Sequence, residues 1–236
     1  MKTTYVVISG PICAGKDELI NKLKERNLLE KNLQDGEQVH YLSEAVNHDK
    51  NVLNGYYSDQ KGTGEFFDLG TLCFRTVLTS TIKNKKGIVI GNRHPLEARA
   101  TFIRYGGENN FLDATSIGLH DIVLRRGIEK KLIPIPELVF YLDVADPEIL
   151  IERNKSRQAP GEENLMSEYL RNIAPYFGRY RDNFQEMYQQ FSVPTPELKV
   201  LDSSTDYKQD PKILEKLAEI CEREILSLHR RRNEHS

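Results

Sequence analysis

The sequence predicts an α/β fold in which a parallel sheet of five strands carries helices on both faces. Five short apolar runs, rich in β-branched residues, alternate along the chain with longer segments of helical periodicity. A glycine-containing stretch follows the first apolar run and leads directly into the first helical segment. Strands that alternate with helices usually pair in parallel, so both faces of the sheet are expected to be covered.

The elements can be assigned in chain order. The predicted strands are TYVVI (4–8), QVHYL (38–42), GIVIGN (87–92), ELVFYLDV (137–144) and LKVLD (198–202). The predicted helices cover 15–26, 66–82, a segment that begins at Pro95, 147–157, 164–191 and 211–228. Pro95 suits a helix start because its φ is already fixed near the helical value. The stretch RYGGENNFLD (104–113) is rich in glycine and asparagine and therefore predicts turns.

Length and composition indicate one globular domain, residues 1–236, with an ordinary charge balance. The 33 basic and 35 acidic side chains give a net charge of −2, which argues against a nucleic-acid or membrane partner. The three cysteines are far apart, which predicts neither a disulfide framework nor a zinc site and indicates a reduced, cytoplasmic location. No apolar segment is long enough for a signal peptide or a membrane span. The basic tail HRRRNEHS (229–236) is expected to be a solvated, frayed end.

The stretch GPICAGKDEL, residues 10–19, matches the phosphate-binding pattern G-x-x-x-x-G-K. Backbone N–H groups and the helix dipole at such a strand-to-helix loop face an anion, and the lysine reaches the β and γ phosphates of a nucleotide. The residues expected to bind ATP here are Gly10, Pro11, Ile12, Cys13, Ala14, Gly15, Lys16 and Asp17. The pattern usually continues with Ser or Thr, whose hydroxyl ligates Mg²⁺, but this chain has Asp17.

Four further stretches, in the expected order between the expected strands, resemble the deoxynucleoside kinase family. They are YLSEAV, GNRHPLEARATFI, FYLDVADPEILIERNKSRQAPGEENLMSEYL and VLDSSTDYKQDP. The resemblance covers most of the chain. It implies the three-layer fold of phosphate-loop nucleoside and nucleotide kinases, related to thymidylate kinase, with an arginine-bearing lid at about 153–164. It also implies ATP-dependent transfer of the γ-phosphate to the 5′-hydroxyl of a small-molecule deoxynucleoside, with Mg²⁺ as cofactor and a homodimer as the usual assembly.

The resemblance assigns roles in phosphate transfer to individual residues. Glu44, after the second strand, matches the general base that takes the proton of the attacking hydroxyl. Arg93 matches the arginine that bridges this base and the acceptor hydroxyl. Arg153 and Arg157, four residues apart on one predicted helix face, match the lid arginines that neutralise charge on the phosphates. Lys16 completes the predicted catalytic set.

Other positions match the family's binding residues for donor and acceptor. Asp206 and Tyr207 lie where the family holds the adenine of ATP with Asp-Phe. Tyr57 and Glu163 resemble the pair that recognises the sugar 3′-hydroxyl, and Glu162 is an alternative to Glu163 because the lid is one residue longer here.

The base pocket departs from the family pattern. Phe67, Asp68 and Arg75 stand where the family has Phe-Gln and, seven residues later, Arg. Residues seven apart return to the same helix face, so Asp68 and Arg75 are expected to pair, either in the pocket or at the surface. An ionised aspartate offers acceptors only, which favours a base edge rich in N–H donors: guanine first, then cytosine or adenine, with thymine last.

The metal site departs from the family in two opposite senses. Asp17 adds a carboxylate to the phosphate loop, whereas Asn92 replaces the acidic residue that precedes the family's catalytic arginine. We interpret this as a charge swap in which Asp17 now serves Mg²⁺, since Mg²⁺ accepts either oxygen ligand. A nucleotide-binding protein that has lost catalysis is the opposing interpretation. A nucleoside monophosphate kinase of the thymidylate kinase kind is a further alternative, although it would have Arg just before Glu44, where this chain has Ser43.

Overall fold

The computed structural model describes residues 3–42, 50–157, 165–207 and 210–234. The strands are β1 (Thr4–Ser9), β2 (Gln38–Leu42), β3 (Gly87–Asn92), β4 (Leu138–Asp143) and β5 (Glu197–Asp202). The helices are α1 (Lys16–Arg26), α2 (Leu28–Lys31), α3 (Lys50–Ser58), α4 (Gln60–Ser80), α5 (Pro95–Ala98), α6 (Arg104–Glu108), α7 (Ala114–Glu129), α8 (Pro147–Arg157), α9 (Ser167–Asp182), α10 (Phe184–Gln190) and α11 (Pro211–Glu234). A 3₁₀ turn, Thr81–Asn84, follows α4, and a π-helical turn, Arg99–Ile103, joins α5 to α6.

The five strands form one sheet in the order β2-β3-β1-β4-β5, and every neighbouring pair is parallel. All residues of β1 and β3 are buried, whereas the edge strands β2 and β5 are partly exposed. This agrees with apolar, β-branched sequences in the centre of the sheet and mixed sequences at its edges. The predicted fold class is confirmed.

Helices cover both faces of the sheet. On one face, the hydroxyl of Thr4 in β1 lies 2.9 Å from Nδ1 of His229 in α11. On the other, the hydroxyl of Tyr141 in β4 donates to the backbone oxygen of Phe177 in α9 at 2.9 Å. Alternate residues of a strand point to opposite faces, so the apolar core is divided between two helical layers.

Several helix boundaries differ from the predicted ones for local reasons. Helix α4 begins six residues earlier than Phe66, at Gln60, because the Asp59 carboxylate caps it by accepting from the Gly62 N–H at 2.9 Å. The predicted helix 164–191 is instead α9 and α10, separated at Asn183. The Asn183 side-chain amide donates to the Arg179 carbonyl oxygen at 2.9 Å, which occupies an acceptor of the last turn.

The predicted turn region 104–113 is only half correct, since α6 occupies its first five residues. Helix α7 was not predicted. Its start is fixed by Asp113, whose carboxylate accepts from the Ser116 N–H at 2.7 Å.

The described part of the basic tail, 229–234, is not a frayed end, because α11 continues to Glu234. His229 is buried and lies 3.1 Å from the Glu37 carboxylate, and Arg232 forms an ion pair with Glu137. These contacts hold the last turns of α11 against the sheet. Among the helices that the structure describes, none is long and apolar enough to cross a membrane.

Candidate active site

The site lies at the carboxyl end of β1. Strands β2 and β3 lie on one side of β1 and strands β4 and β5 on the other, so the direction of the chain connections changes at β1. Open parallel sheets bind ligands at such a point. Asn92 pairs with Ile8 in register, and the Arg93 N–H donates to the Ile8 oxygen at 3.0 Å. This pairing places the end of β3 directly beside the phosphate loop. A cleft opens here, and its wall extends from Lys16 to Asp68 and His120.

The phosphate loop, residues 10–17, has the backbone that its glycines require. Gly10 has φ +135°, and a Cβ there would lie 2.6 Å from the Leu142 oxygen. Gly15 has φ +91°, and the ring of Tyr207 occupies the space that a Cβ would need. Pro11, Ile12, Cys13 and Ala14 form the turn between the two glycines.

Lys16 lies across this loop and is buried. Its ammonium donates to the Gly10 oxygen at 3.2 Å and to the Pro11 oxygen at 2.6 Å. The positive charge is therefore held at the centre of the loop, beside the N-terminus of α1, where a phosphate is favoured.

Arg93 is buried beneath the loop and is held by Glu97, a residue that the sequence analysis did not single out. The Arg93 guanidinium donates to Glu97 Oε1 at 2.5 Å and to the Gly10 oxygen at 2.9 Å. It lies 5.1 Å from the ring centres of both Phe102 and Phe177. Glu97 is fully buried, and its Oε1 also accepts from the Gly10 N–H at 3.4 Å. The spacing of four residues between Arg93 and Glu97 at a helix start was the available sequence signal.

Asp17 and Asn92, the two positions of the supposed charge swap, are in direct contact. The Asn92 amide donates to Asp17 Oδ1 at 2.8 Å. The Arg157 guanidinium lies 4.0 Å from Asp17 Oδ2. Asn92 Oδ1 is buried and has no hydrogen-bond partner among the described residues. The carboxylate, the amide and the lid arginine thus share one polar corner of the cleft.

Arg153 has a different environment from Arg157. Its guanidinium donates to the backbone oxygens of Cys13 at 3.3 Å, Ser203 at 2.6 Å and Thr205 at 2.8 Å. It also lies 5.5 Å from the ring centre of Tyr207. Arg153 therefore ties the phosphate loop to the loop after β5.

Tyr207 and Asp206 line a smaller pocket next to the phosphate loop, together with Arg153 and Arg157. The Tyr207 hydroxyl is hydrogen-bonded to Ser203, whose hydroxyl donates to the Ala14 oxygen at 2.6 Å. Both predicted adenine-binding residues thus lie against the phosphate loop.

The far part of the main cleft is aromatic with a polar end. Tyr56 stacks on Phe67 at 4.3 Å between ring centres, and Tyr57 contacts Tyr169 edge to face at 5.6 Å. Arg75 lies in the same wall and is buried.

Asp68 at the polar end is buried, and the desolvation raises its pKa to about 7 although the Arg75 charge lowers it. The expectation that Asp68 and Arg75 both face the pocket agrees with this geometry. The predicted base preference assumes an ionised Asp68, whereas burial disfavours the charged form.

His120 from α7 completes this polar end, and the sequence analysis missed it. Its side chain is 3% exposed, and burial lowers its pKa to about 4. No sequence signal pointed to His120, since its helix was not predicted. Glu44, Glu162 and Glu163 lie outside the described residues, so their predicted roles rest on the resemblance alone.

The fold and this site define an α/β phosphotransferase with a phosphate-binding loop. The family model for deoxynucleoside kinases matches residues 6–226, nearly the whole chain. The protein belongs to the deoxynucleoside kinase family, and the resemblance is confirmed. Its activity is ATP-dependent phosphorylation of a deoxynucleoside.

Individual relatives are distant. A protein of Invertebrate iridescent virus 3, named putative kinase protein 029R, is 27% identical over 168 residues, which cover 70% of this chain and 77% of the viral protein. The structure of deoxyadenosine kinase from M. mycoides with bound dATP matches with a TM-score of 0.67 at 20% identity, over 91% of this chain and 98% of that one. The same enzyme with bound dCTP matches with a TM-score of 0.65 at 23% identity, over 91% and 98%. At such identities the likeness establishes the fold.

Proposed function

We propose that this protein transfers the γ-phosphate of ATP to the 5′-hydroxyl of a deoxynucleoside through the residues of the cleft described above. The observation that carries the proposal is the continuity of that cleft. Lys16 of the phosphate loop and Asp68 of the aromatic pocket line one cavity. A deoxynucleoside whose base lies near Asp68 extends its sugar towards the phosphates, as in-line transfer requires.

The phosphate loop and four charged side chains perform the transfer. The loop N–H groups and Lys16 bind the β and γ phosphates, and Arg157 neutralises charge that develops on the transferred group. Glu44 acts as general base, which the family resemblance supports. Arg93 orients the acceptor hydroxyl, and the buried Glu97 supports this role by fixing its guanidinium.

Mg²⁺ fits the corner formed by Asp17 and Asn92. Within the described ranges no three acidic, histidine or cysteine side chains cluster as a preformed metal cage. Mg²⁺ in kinases needs only one or two carboxylates, because phosphates and waters supply the other ligands. Asp17 is partly exposed in the cleft and provides such a carboxylate. The metal supplies charge neutralisation at the phosphates when it is bound.

The contact between Asp17 and Asn92 supports the charge-swap interpretation. Asp17→Ser is expected to abolish activity, and the double variant Asp17→Ser with Asn92→Asp is expected to recover part of it. Asp35→Asn, an exposed change far from the cleft, serves as the control. A double variant no more active than Asp17→Ser would refute the swap.

The adenine of the donor is bound in the smaller pocket beside the phosphate loop, and the acceptor is bound in the main cleft. Asp206 and Tyr207 hold the adenine of ATP, with Arg153 fixing their loop against Cys13. Tyr57 and Glu163 hold the sugar 3′-hydroxyl.

The base lies beside Phe67 and faces Asp68 and Arg75. When ionised, Asp68 favours N–H donors, so deoxyguanosine is the preferred acceptor and thymidine the poorest. A clear preference for thymidine would contradict this ranking.

The test is a phosphoryl-transfer assay with ATP and Mg²⁺, then Mn²⁺, against the four deoxynucleosides and their monophosphates. Product from a deoxynucleoside is expected. Product only from a monophosphate would indicate a thymidylate kinase-like reaction and remove Glu44 from the role of base. No product with any acceptor, despite ATP binding, would indicate a nucleotide-binding protein without catalysis.

The protein is proposed to be a homodimer, with α4 and α7 as the interface. Phe66, Phe74 and Val77 on α4 and Leu119 and Ile122 on α7 are large apolar side chains that are 37 to 80% exposed. A second copy of the chain would cover this face, as in the family's usual assembly. We also infer a reduced cytoplasmic location and a single kinase domain, and all three cysteines are free.

A further inference from the structure

His120 is placed in the wall of the acceptor cavity by the middle of α7. It lines the same cleft as Lys16, Asp68 and Arg75, and it also borders a small void together with Asp68 and Ser116. The surrounding wall is mainly apolar and aromatic, including Leu72 and Ile103. A few polar groups that converge at one end of an apolar cavity are typical of a specificity pocket.

The hydrogen bonding of His120 differs from that of two other buried histidines. His94 Nδ1 accepts from the Leu96 N–H at 3.3 Å, and its Nε2 donates to the Pro134 oxygen at 3.1 Å. Both ring nitrogens of His229 also have partners, at 2.9 and 3.1 Å. In contrast, His120 Nδ1 is buried and has no hydrogen-bond partner in the described part of the chain. Buried polar atoms are rarely left without a hydrogen-bond partner, so an unpartnered one usually has a structural or functional reason.

The protonation state of His120 suits recognition of a neutral group. Its pKa is lowered from 6.5 to about 4, mainly by burial and also by the Arg99 charge, while the Asp121 charge opposes the shift. The ring is therefore neutral at pH 7 and offers one donor and one acceptor. Asp68, at the same end of the cavity, offers two acceptor oxygens in its ionised form, which is substantially populated at and above pH 7.

We propose that His120 is a specificity-determining residue that reads the nucleobase together with Asp68. Guanine fits both groups, because its N–H donors suit the Asp68 carboxylate and its O6 and N7 acceptors suit the imidazole N–H. The acceptor class is a 6-oxopurine deoxynucleoside. This inference rests on the proposed function and adds the residue and the base edge that select the acceptor.

His120→Phe and His120→Gln test the proposal, with His40→Phe on β2 as the matched control outside the cavity. His120→Phe keeps the ring shape and removes both nitrogens, so KM for deoxyguanosine and deoxyinosine is expected to rise about tenfold while KM for ATP stays within twofold. His120→Gln restores a donor and an acceptor and is expected to recover part of the loss. His120→Phe is also expected to melt no lower than the native protein, because no internal hydrogen bond is lost.

Unchanged kinetics of His120→Phe with all four deoxynucleosides would overturn the proposal, as would an equal rise in KM for ATP. Calorimetric titration of deoxyguanosine and of ATP into the native protein and into His120→Phe distinguishes failure of the His120 proposal from failure of the proposed function. If the native protein phosphorylates no deoxynucleoside, the proposed function fails. Deoxyguanosine binding that is lost in His120→Phe while ATP binding persists would still support His120 as a base reader. Equal deoxyguanosine binding by both proteins, or none by the native protein, would overturn it.

Discussion

Replacing Asp68 by asparagine is expected to stabilise the protein at alkaline pH and to impair its recognition of the base. Asp68 is buried at the polar end of the acceptor cavity, where desolvation raises its pKa from 3.8 to about 7 despite the Arg75 charge. A buried carboxyl in this position costs folding free energy once it must ionise. Such a cost is consistent with the proposed role of Asp68 in base recognition, because functional residues are often retained at the expense of stability.

The sign and size of the effect follow from proton linkage. Below pH 3.8 both the folded and the unfolded states hold the proton, so Asp68 has no pH-dependent cost. As the pH rises towards 7, the unfolded chain releases the proton while the folded chain retains it, and stability is lost progressively. At 1.36 kcal/mol for each pKa unit, the difference between 3.8 and about 7 corresponds to a cost on the order of 4 kcal/mol above pH 7.

The assay is urea and thermal unfolding of the native protein and Asp68→Asn between pH 4 and pH 8. The variant is expected to match the native protein near pH 4 and to melt roughly 10 °C higher at pH 8, since about 1 kcal/mol corresponds to roughly 3 °C for a chain of this size. Its preference for deoxyguanosine over thymidine is expected to fall. Asp35→Asn, at an exposed turn, controls for the loss of one charge. A difference in stability between the native protein and Asp68→Asn that does not change with pH would refute the reasoning.

Three other predictions concern the loop, its buried support and the interface. Glu97→Gln leaves the buried charge of Arg93 uncompensated, so the free energy of unfolding, measured in urea, is expected to fall by about 3–5 kcal/mol. The kcat is expected to fall as well, and an unchanged kcat would contradict the role of Glu97 in positioning Arg93. Gly15→Ala forces a Cβ into the Tyr207 ring at φ +91°, and ATP affinity by calorimetry is expected to drop at least tenfold; native ATP affinity would show that the loop tolerates the clash. Val77→Asp on the exposed face of α4 is expected to produce a monomer by light scattering with the fold retained, and a stable dimer would exclude that face as the interface.

Local sequence patterns were enough to predict the fold class and the position of the phosphate loop. Strand composition was a sufficient signal, because only apolar, β-branched runs can be buried on both faces of a parallel sheet. Gly10, Gly15 and Lys16 identified the loop because their backbone and charge requirements are local. The resemblance added the family, and Asp17 and Asn92, which it assigned to one site, are in contact.

Which distant side chains support the phosphate loop depends on tertiary packing. Glu97 holds Arg93 through a buried ion pair, and Arg153 ties two loops together through contacts with backbone oxygens that no spacing reveals. His120 reached the acceptor cavity on a helix whose weak pattern was not recognised. The protonation of Asp68 also depended on tertiary packing, since its pKa is set by burial among residues remote in sequence. Local sequence fixes backbone preference, whereas desolvation and charge pairing arise only when the chain has folded.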